Sequence, residues 1–127
     1  MTSTRALRWW AIAAVVFGAL TVVSGGRALF GGPEARAAVG DAVGFVLWFN
    51  FAAGFAYVIT AVGVWLRRPW SRWAALLIAL ATGAVCVAFA VHVLSGGAYE
   101  MRTVGALALR LAFWVALAAV AVRAFRA

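Results

Sequence analysis

The chemistry open to this sequence rests on seven side chains: Asn50, Tyr57, His92, Tyr99, Glu100, Arg102 and Arg110. Four of them fall within the twelve positions from His92 to Thr103 (HVLSGGAYEMRT), so an imidazole, a phenol, a carboxylate and a guanidinium crowd one short segment. Such a set can hold a small polar ligand through hydrogen bonds. An imidazole with an ordinary pKa near 6.5 can also take up a proton at mildly acidic pH. Each group has a plainer reading too. His92 can be an interfacial hydrogen-bonder, Glu100 a cap at a helix start where negative charge suits the dipole, Gly96 and Gly97 a chain reversal, and Tyr57 a filler of the bundle.

Much other chemistry is excluded. Cys86 is the only cysteine, which rules out an internal disulfide, a CxxC redox pair and a cysteine-based metal site. It reads as a small buried apolar residue. With one histidine, a bis-histidine haem within the chain is impossible. The sequence holds no Ser-His-Asp set, phosphate loop or HExxH, so it gives no support to hydrolase or nucleotide chemistry. No catalytic activity is expected of the chain on its own.

The elements that must position these groups follow from composition. The chain has 127 residues, 68% hydrophobic and 11% charged, against about 25% charged in soluble domains. It cannot cover its own surface with polar groups. The net charge of +8 comes from eleven arginines, with no lysine, set against Glu34, Asp41 and Glu100. A nucleic-acid footprint would be a basic face carrying base-stacking aromatics. These arginines instead punctuate apolar runs, where they set topology and touch lipid headgroups, so the expected partner is the lipid bilayer and no nucleic acid. Alanine and arginine have GC-rich codons and lysine does not, which points to a bacterium and hence to its cytoplasmic (inner) membrane.

The apolar runs predict an all-α integral membrane protein, a four-helix up-down bundle in a single transmembrane domain over residues 1–127. Helices are expected at about 9–25, 43–66, 73–94 and 104–122, each near the length that crosses a bilayer. The first reads as a retained signal anchor, because the small-residue site at 35–37 lies well beyond the end of its apolar run. A short helix at 35–39 is expected in the following loop. Antiparallel neighbours follow from the short second and third connections.

Counting arginines gives the orientation. Arg5, Arg8, Arg67, Arg68, Arg72, Arg123 and Arg126 share one side, whereas the other has Arg27, Arg36 and Arg102 and all the acids. The positive-inside rule puts both termini in the cytoplasm. Trp9, Trp10, Trp65, Trp70 and Trp73 then lie at the cytoplasmic interface, where an indole buries its ring and still bonds to headgroups. On this topology Asn50 and Arg110 share a level roughly 10 Å below the outer boundary. A central arginine costs about 2.5–3.5 kcal/mol on insertion scales. Arg110 therefore either points inward to a partner or a water-filled cavity, or snorkels to the near interface. Thr103, Arg110 and Trp114 lie on one face of the fourth span, and Asn50, Gly54 and Tyr57 on one face of the second, where Gly54 is expected to open space. Glu100 and Arg102 would close a small polar pocket from the outer surface. Small residues recur four apart at Ala14 and Gly18, Ala52 and Ala56, and Ala79 and Gly83, a spacing compatible with a compact bundle and with a homodimer.

The segments Asn50–Gly54 (NFAAG) and Gly63–Arg67 (GVWLR), the alanine-rich third span and its Ala90–His92 ending together resemble the DoxX-like family of small four-helix bacterial membrane proteins. The likeness covers about half of the chain. Asn50 stands where many members carry a glutamate, and Ala53 with Gly54 where they carry paired glycines. The resemblance implies an accessory or anchoring subunit of a membrane oxidoreductase, a partner redox subunit, and contact with a quinone, for which Asn50, His92 and Arg110 would be hydrogen-bond donors. A second class is an oligomeric transporter or channel, in which Arg102 and Arg110 attract an anion and His92 couples a proton. A third is a structural or assembly protein whose polar cluster only locks the bundle.

Overall fold

Both prolines, Pro33 and Pro69, stand at helix starts, where a missing N–H leaves no gap in the ladder, so none interrupts an apolar run. The computed structural model describes residues 4–40 and 43–125, apart from the side chains of residues 36 and 39. Asp41 and Arg126, counted above among the charges, lie outside the described residues, as does the side chain of Arg36. In chain order the helices are α1 (Thr4–Phe30), α2 (Pro33–Val39), α3 (Gly44–Trp65), α4 (Trp70–Leu94) and α5 (Met101–Ala124). Four of them, α1, α3, α4 and α5, are long and apolar enough to cross a membrane, and they form a helical bundle. The described residues contain no strand.

α1 is longer than the apolar run at 9–25. Gly25 and Gly26 do not end it, because an interior glycine costs only about 1 kcal/mol relative to alanine. The helix stops at Gly31 and Gly32, where Gly32 takes φ +89, a conformation that other residues rarely adopt. α4 starts at Trp70, directly after Pro69, and α5 at Met101, directly after the extended Glu100.

The buried face of α1 runs Leu7, Ala11, Ala14, Gly18, Thr21, Gly25 and Ala28, alternating steps of four and three. That is a heptad seam, the repeat that keeps two helices in contact along their length. α3 meets it with Phe51, Gly54 and Val58, while a second α3 seam of Val46, Asn50, Ala53, Tyr57, Thr60 and Val64 lies beside that contact. The tightest point is at Gly18 and Gly54. A Cβ on Gly54 would lie 2.7 Å from Val22 Cγ2 and 3.1 Å from the Gly18 carbonyl oxygen, and one on Gly18 would lie 2.9 Å from the Gly54 carbonyl oxygen. Gly54 therefore opens no space: it is the notch through which α1 and α3 touch. Ala14 and Gly18 belong to this seam, whereas Ala52 is exposed.

Small residues line the α1–α3 contact, and many large apolar ones face outward. Leu20, Leu77, Leu80 and Leu109 are all more than 60% exposed, as suits side chains that meet lipid tails. The core is continued by Tyr57, Ile78, Trp114 and Leu117. A smaller cluster of Val43, Val46, Phe89 and Leu107 closes the other end.

Arginines fasten the end where Thr4, Trp65 and Phe125 meet. Arg67 donates to Thr4 Oγ1 at 3.2 Å, Arg8 stacks 4.8 Å above the Trp65 ring, and Arg72 donates to the Phe125 carbonyl. Arg67 does so from a left-handed backbone, φ +55.

Substitution should separate the notch from an ordinary helical glycine. Gly54→Ala is expected to destabilise the bundle by about 1–3 kcal/mol through overpacking. Gly105→Ala, whose Cβ would meet nothing within 4 Å, should stabilise it by about 0.5–1 kcal/mol. Unfolding in mixed micelles at increasing denaturing-detergent fraction measures both, and equal midpoints for the two variants would refute the notch.

Candidate functional site

α3 and α5 bring polar residues to one space beside Ser24 of α1. Asn50 follows from the α3 seam, and Thr103 and Arg110, seven apart, from one face of α5. Between them lies a cavity of about 350 Å³ lined by Ser24, Asn50, Glu100, Arg102, Thr103 and Arg110 over an apolar wall of Val43, Val46 and Leu47. Four of the seven residues singled out by type and spacing thus line one space.

Arg110 is its centre. Its Nη1 donates to the Ala106 carbonyl oxygen at 3.4 Å, one turn back toward the start of α5, and its Nη2 donates across the bundle to Thr21 Oγ1 at 3.3 Å. The side chain therefore climbs one turn and still reaches a partner on another helix. Its Cζ lies 5.4 Å from the centre of the Phe17 ring, and its buried Nε has no hydrogen-bond partner. Both hydrogen-bond partners of the guanidinium are uncharged. The Asn50 Oδ1 is likewise buried and unpaired.

The mouth is built by the chain around α2. Arg102 donates to the Ala38 carbonyl oxygen at 3.2 Å, tying the first turn of α5 to α2. Glu100 precedes α5 with extended backbone, makes no side-chain cap bond, and sets its carboxylate against Gly40.

Tyr57 lies beneath the cavity. It is fully buried, with its ring centre 4.6 Å from that of the fully buried Trp114 and 5.5 Å from that of Phe17. Arg110, Trp114 and Thr82 face the Tyr57 hydroxyl, yet neither that hydroxyl nor Trp114 Nε1 reaches hydrogen-bond geometry. Thr82 is already engaged, donating to the Ile78 carbonyl oxygen at 2.7 Å.

His92 and Tyr99 do not line the cavity. His92 Nε2 bonds the Ala98 carbonyl oxygen at 2.8 Å, so that nitrogen carries the proton, and the ring packs over Gly97 and edge-on to Phe45. Tyr99 sets its ring 5.9 Å from Phe89. Both serve the connection from α4 to α5. Conversely, the α1 contributors Phe17, Thr21 and Ser24 escape a reading by residue type. The signal was present, since Thr21 and Ser24 are the only hydroxyl residues in the first apolar run.

The arrangement offers more donors than acceptors. Arg102 and Arg110 each carry five N–H groups and no acceptor, against the acceptor oxygens of Asn50 and Glu100. It suits a ligand that accepts hydrogen bonds. Among the described residues no three of His, Cys, Asp and Glu come together.

The Tyr57 hydroxyl tests how this floor is satisfied. Removing an unpaired buried hydroxyl is expected to leave stability unchanged or raise it by about 1 kcal/mol. Tyr57→Phe should show this in the same micelle titration, and a loss above about 1 kcal/mol would mean that the hydroxyl is bonded in the bilayer. The chain matches no protein-family model, no curated protein and no solved structure.

Proposed function

We propose that this chain is a multi-pass protein of the bacterial cytoplasmic membrane, an up-down-up-down bundle with both termini in the cytoplasm, that serves a membrane oxidoreductase as a non-catalytic accessory or anchoring subunit of DoxX-like type. The observation that carries the binding part of this reading is the cavity around Arg110, where Asn50, Glu100 and Arg102 also converge. Its donors fit the carbonyl oxygens of a quinone or the oxygens of a small anion.

The orientation draws support from the arginines. Arg8, Arg67 and Arg72 fasten one end of the bundle, the end the positive-inside rule assigns to the cytoplasm, and the cavity opens toward the other. The floor favours binding over passage. Fully buried Tyr57 and Trp114 lie stacked beneath the cavity, so one bundle offers an anion a seat and not a path.

Two measurements check this. In a Cys86→Ala background, Tyr99→Cys should react with a membrane-impermeant maleimide added outside intact spheroplasts, because Tyr99 is exposed at the cavity end. Labelling only after lysis would reverse the topology. Native electrophoresis of gently solubilised membranes should show the chain in a larger complex with quinone-linked oxidoreductase activity. A bundle migrating alone, with anion flux in liposomes holding this chain only, would replace the subunit reading by a transporter.

A further inference from the structure

We propose that the fissure between α1 and α5 is a binding site for one anionic phospholipid of the outer leaflet, with its phosphate on Arg110 and an acyl chain lying in the fissure. The inference rests on the membrane placement proposed above, and it names the ligand class of the same cavity.

The packing of the bundle leaves the fissure. α1 is paired with α3, α3 with α4 and α4 with α5, while α1 and α5 meet through aromatic side chains. Trp10 and Phe17 reach Phe113 with ring centres 5.6 and 5.3 Å apart. Above Phe113 the gap widens into a groove of about 670 Å³ lined by Val16, Phe17, Leu20, Leu109 and Arg110. Leu20 and Leu109 are more than 60% exposed, so the groove opens sideways to lipid tails. The polar cavity and this groove share Ser24 and Arg110 as lining residues. One guanidinium therefore faces a polar space on one side and an apolar, lipid-facing space on the other, which is the shape of a site for an amphiphile.

Charge decides which amphiphile. Arg110 has two uncharged hydrogen-bond partners and a buried Nε with none, while Arg102 and Glu100 at the mouth carry opposite charges, so the cavity lining is net positive. The nonbridging oxygens of a phosphodiester match the fork of a guanidinium. A zwitterionic headgroup would add its own ammonium to a lining that is net positive even with Glu100 counted, whereas a glycerol headgroup adds none. Depth is compatible as well. The bond from Arg110 to Ala106 lifts the guanidinium about one helical turn, roughly 5 Å, toward the interface where phosphates lie.

Native mass spectrometry of the delipidated protein titrated with phosphatidylglycerol, or with phosphatidylcholine of the same chains, tests the site. One phosphatidylglycerol should bind about tenfold more tightly than phosphatidylcholine. Arg110→Gln should abolish that preference, and Arg123→Gln, at the far end, should keep it. Leu20→Trp, which fills the groove without touching the charge, should weaken both lipids, so the proposal stays testable if Arg110→Gln fails to fold. Equal binding of the two lipids by the wild type overturns it. So does displacement of the lipid by inorganic phosphate, which would mark a free-anion site, or by a short-chain quinone, which would mark a quinone site. Lipid preference without a larger complex would sink the subunit reading alone, and a complex without lipid preference would sink this site alone.

Discussion

Gly18 and Gly54 let α1 and α3 approach backbone to backbone, and the rest of the bundle is arranged around that contact. In lipid, helices gain little from hiding apolar surface, since lipid tails are as apolar as leucine, so close van der Waals fit has to hold them. The fit is centred on one heptad seam on α1, which meets α3 at Gly18 and Gly25. That side of α1 is taken up by α3 at Gly18 and Gly25, and α5 meets the neighbouring side through Trp10 and Phe17. α5 is consequently bridged to α1 by rings, and the space between them is the price of the tight pair. The same register sets Thr21 one turn beyond Gly18, where its hydroxyl meets Arg110.

The unpaired atoms beneath Arg110 look costly only against water. An orphaned hydroxyl or indole N–H in a soluble core would cost about 1–3 kcal/mol relative to its hydrated state. At this depth in a bilayer the alternative is a lipid tail, which offers no acceptor either, so Tyr57 and Trp114 lose nothing by meeting each other inside the bundle. Arg110 differs. Its charge would be far worse placed against lipid, and inside it gains the Thr21 hydroxyl, the Ala106 carbonyl and the face of Phe17. The bundle therefore gains by enclosing the arginine and is indifferent to leaving the two rings unpaired. Donor excess around the cavity follows from that asymmetry.

Apolar run length made the four long apolar helices legible, and spacing along them singled out Asn50 and Arg110, which line one cavity. Helix ends were less legible, because Gly25 and Gly26 resemble a stop signal yet are tolerated inside α1. The α1 side of the site stayed hidden for another reason. The spacing of its seam is periodic and readable, but periodicity does not say which helix the seam faces or which residue stands opposite Thr21. His92 and Tyr99 were grouped with the site by closeness in sequence. Their rings instead follow Phe45 and Phe89, contacts between residues more than a turn apart that no spacing rule supplies.

The two ends of the bundle are held by different forces. Where Thr4, Trp65 and Phe125 meet, guanidiniums bridge α1, α3, α4 and Phe125, directly after α5, through hydrogen bonds and ring faces. At the cavity end the ties are shorter in reach: Arg102 holds α5 to α2, and His92 holds only the connection next to it. Any opening between α1 and α5 therefore pivots on the fastened end, with Phe113 bridging Trp10 and Phe17 as the lowest point of the fissure. The helices can separate above Phe113 without breaking the Gly18 and Gly54 contact, because α1 would carry α3 with it. What such a motion breaks is the bond from Arg110 to Thr21, which spans the gap among the described residues, and the phosphate of the proposed lipid would replace it. On the proposed reading, the group that closes the fissure is also the group that binds in it.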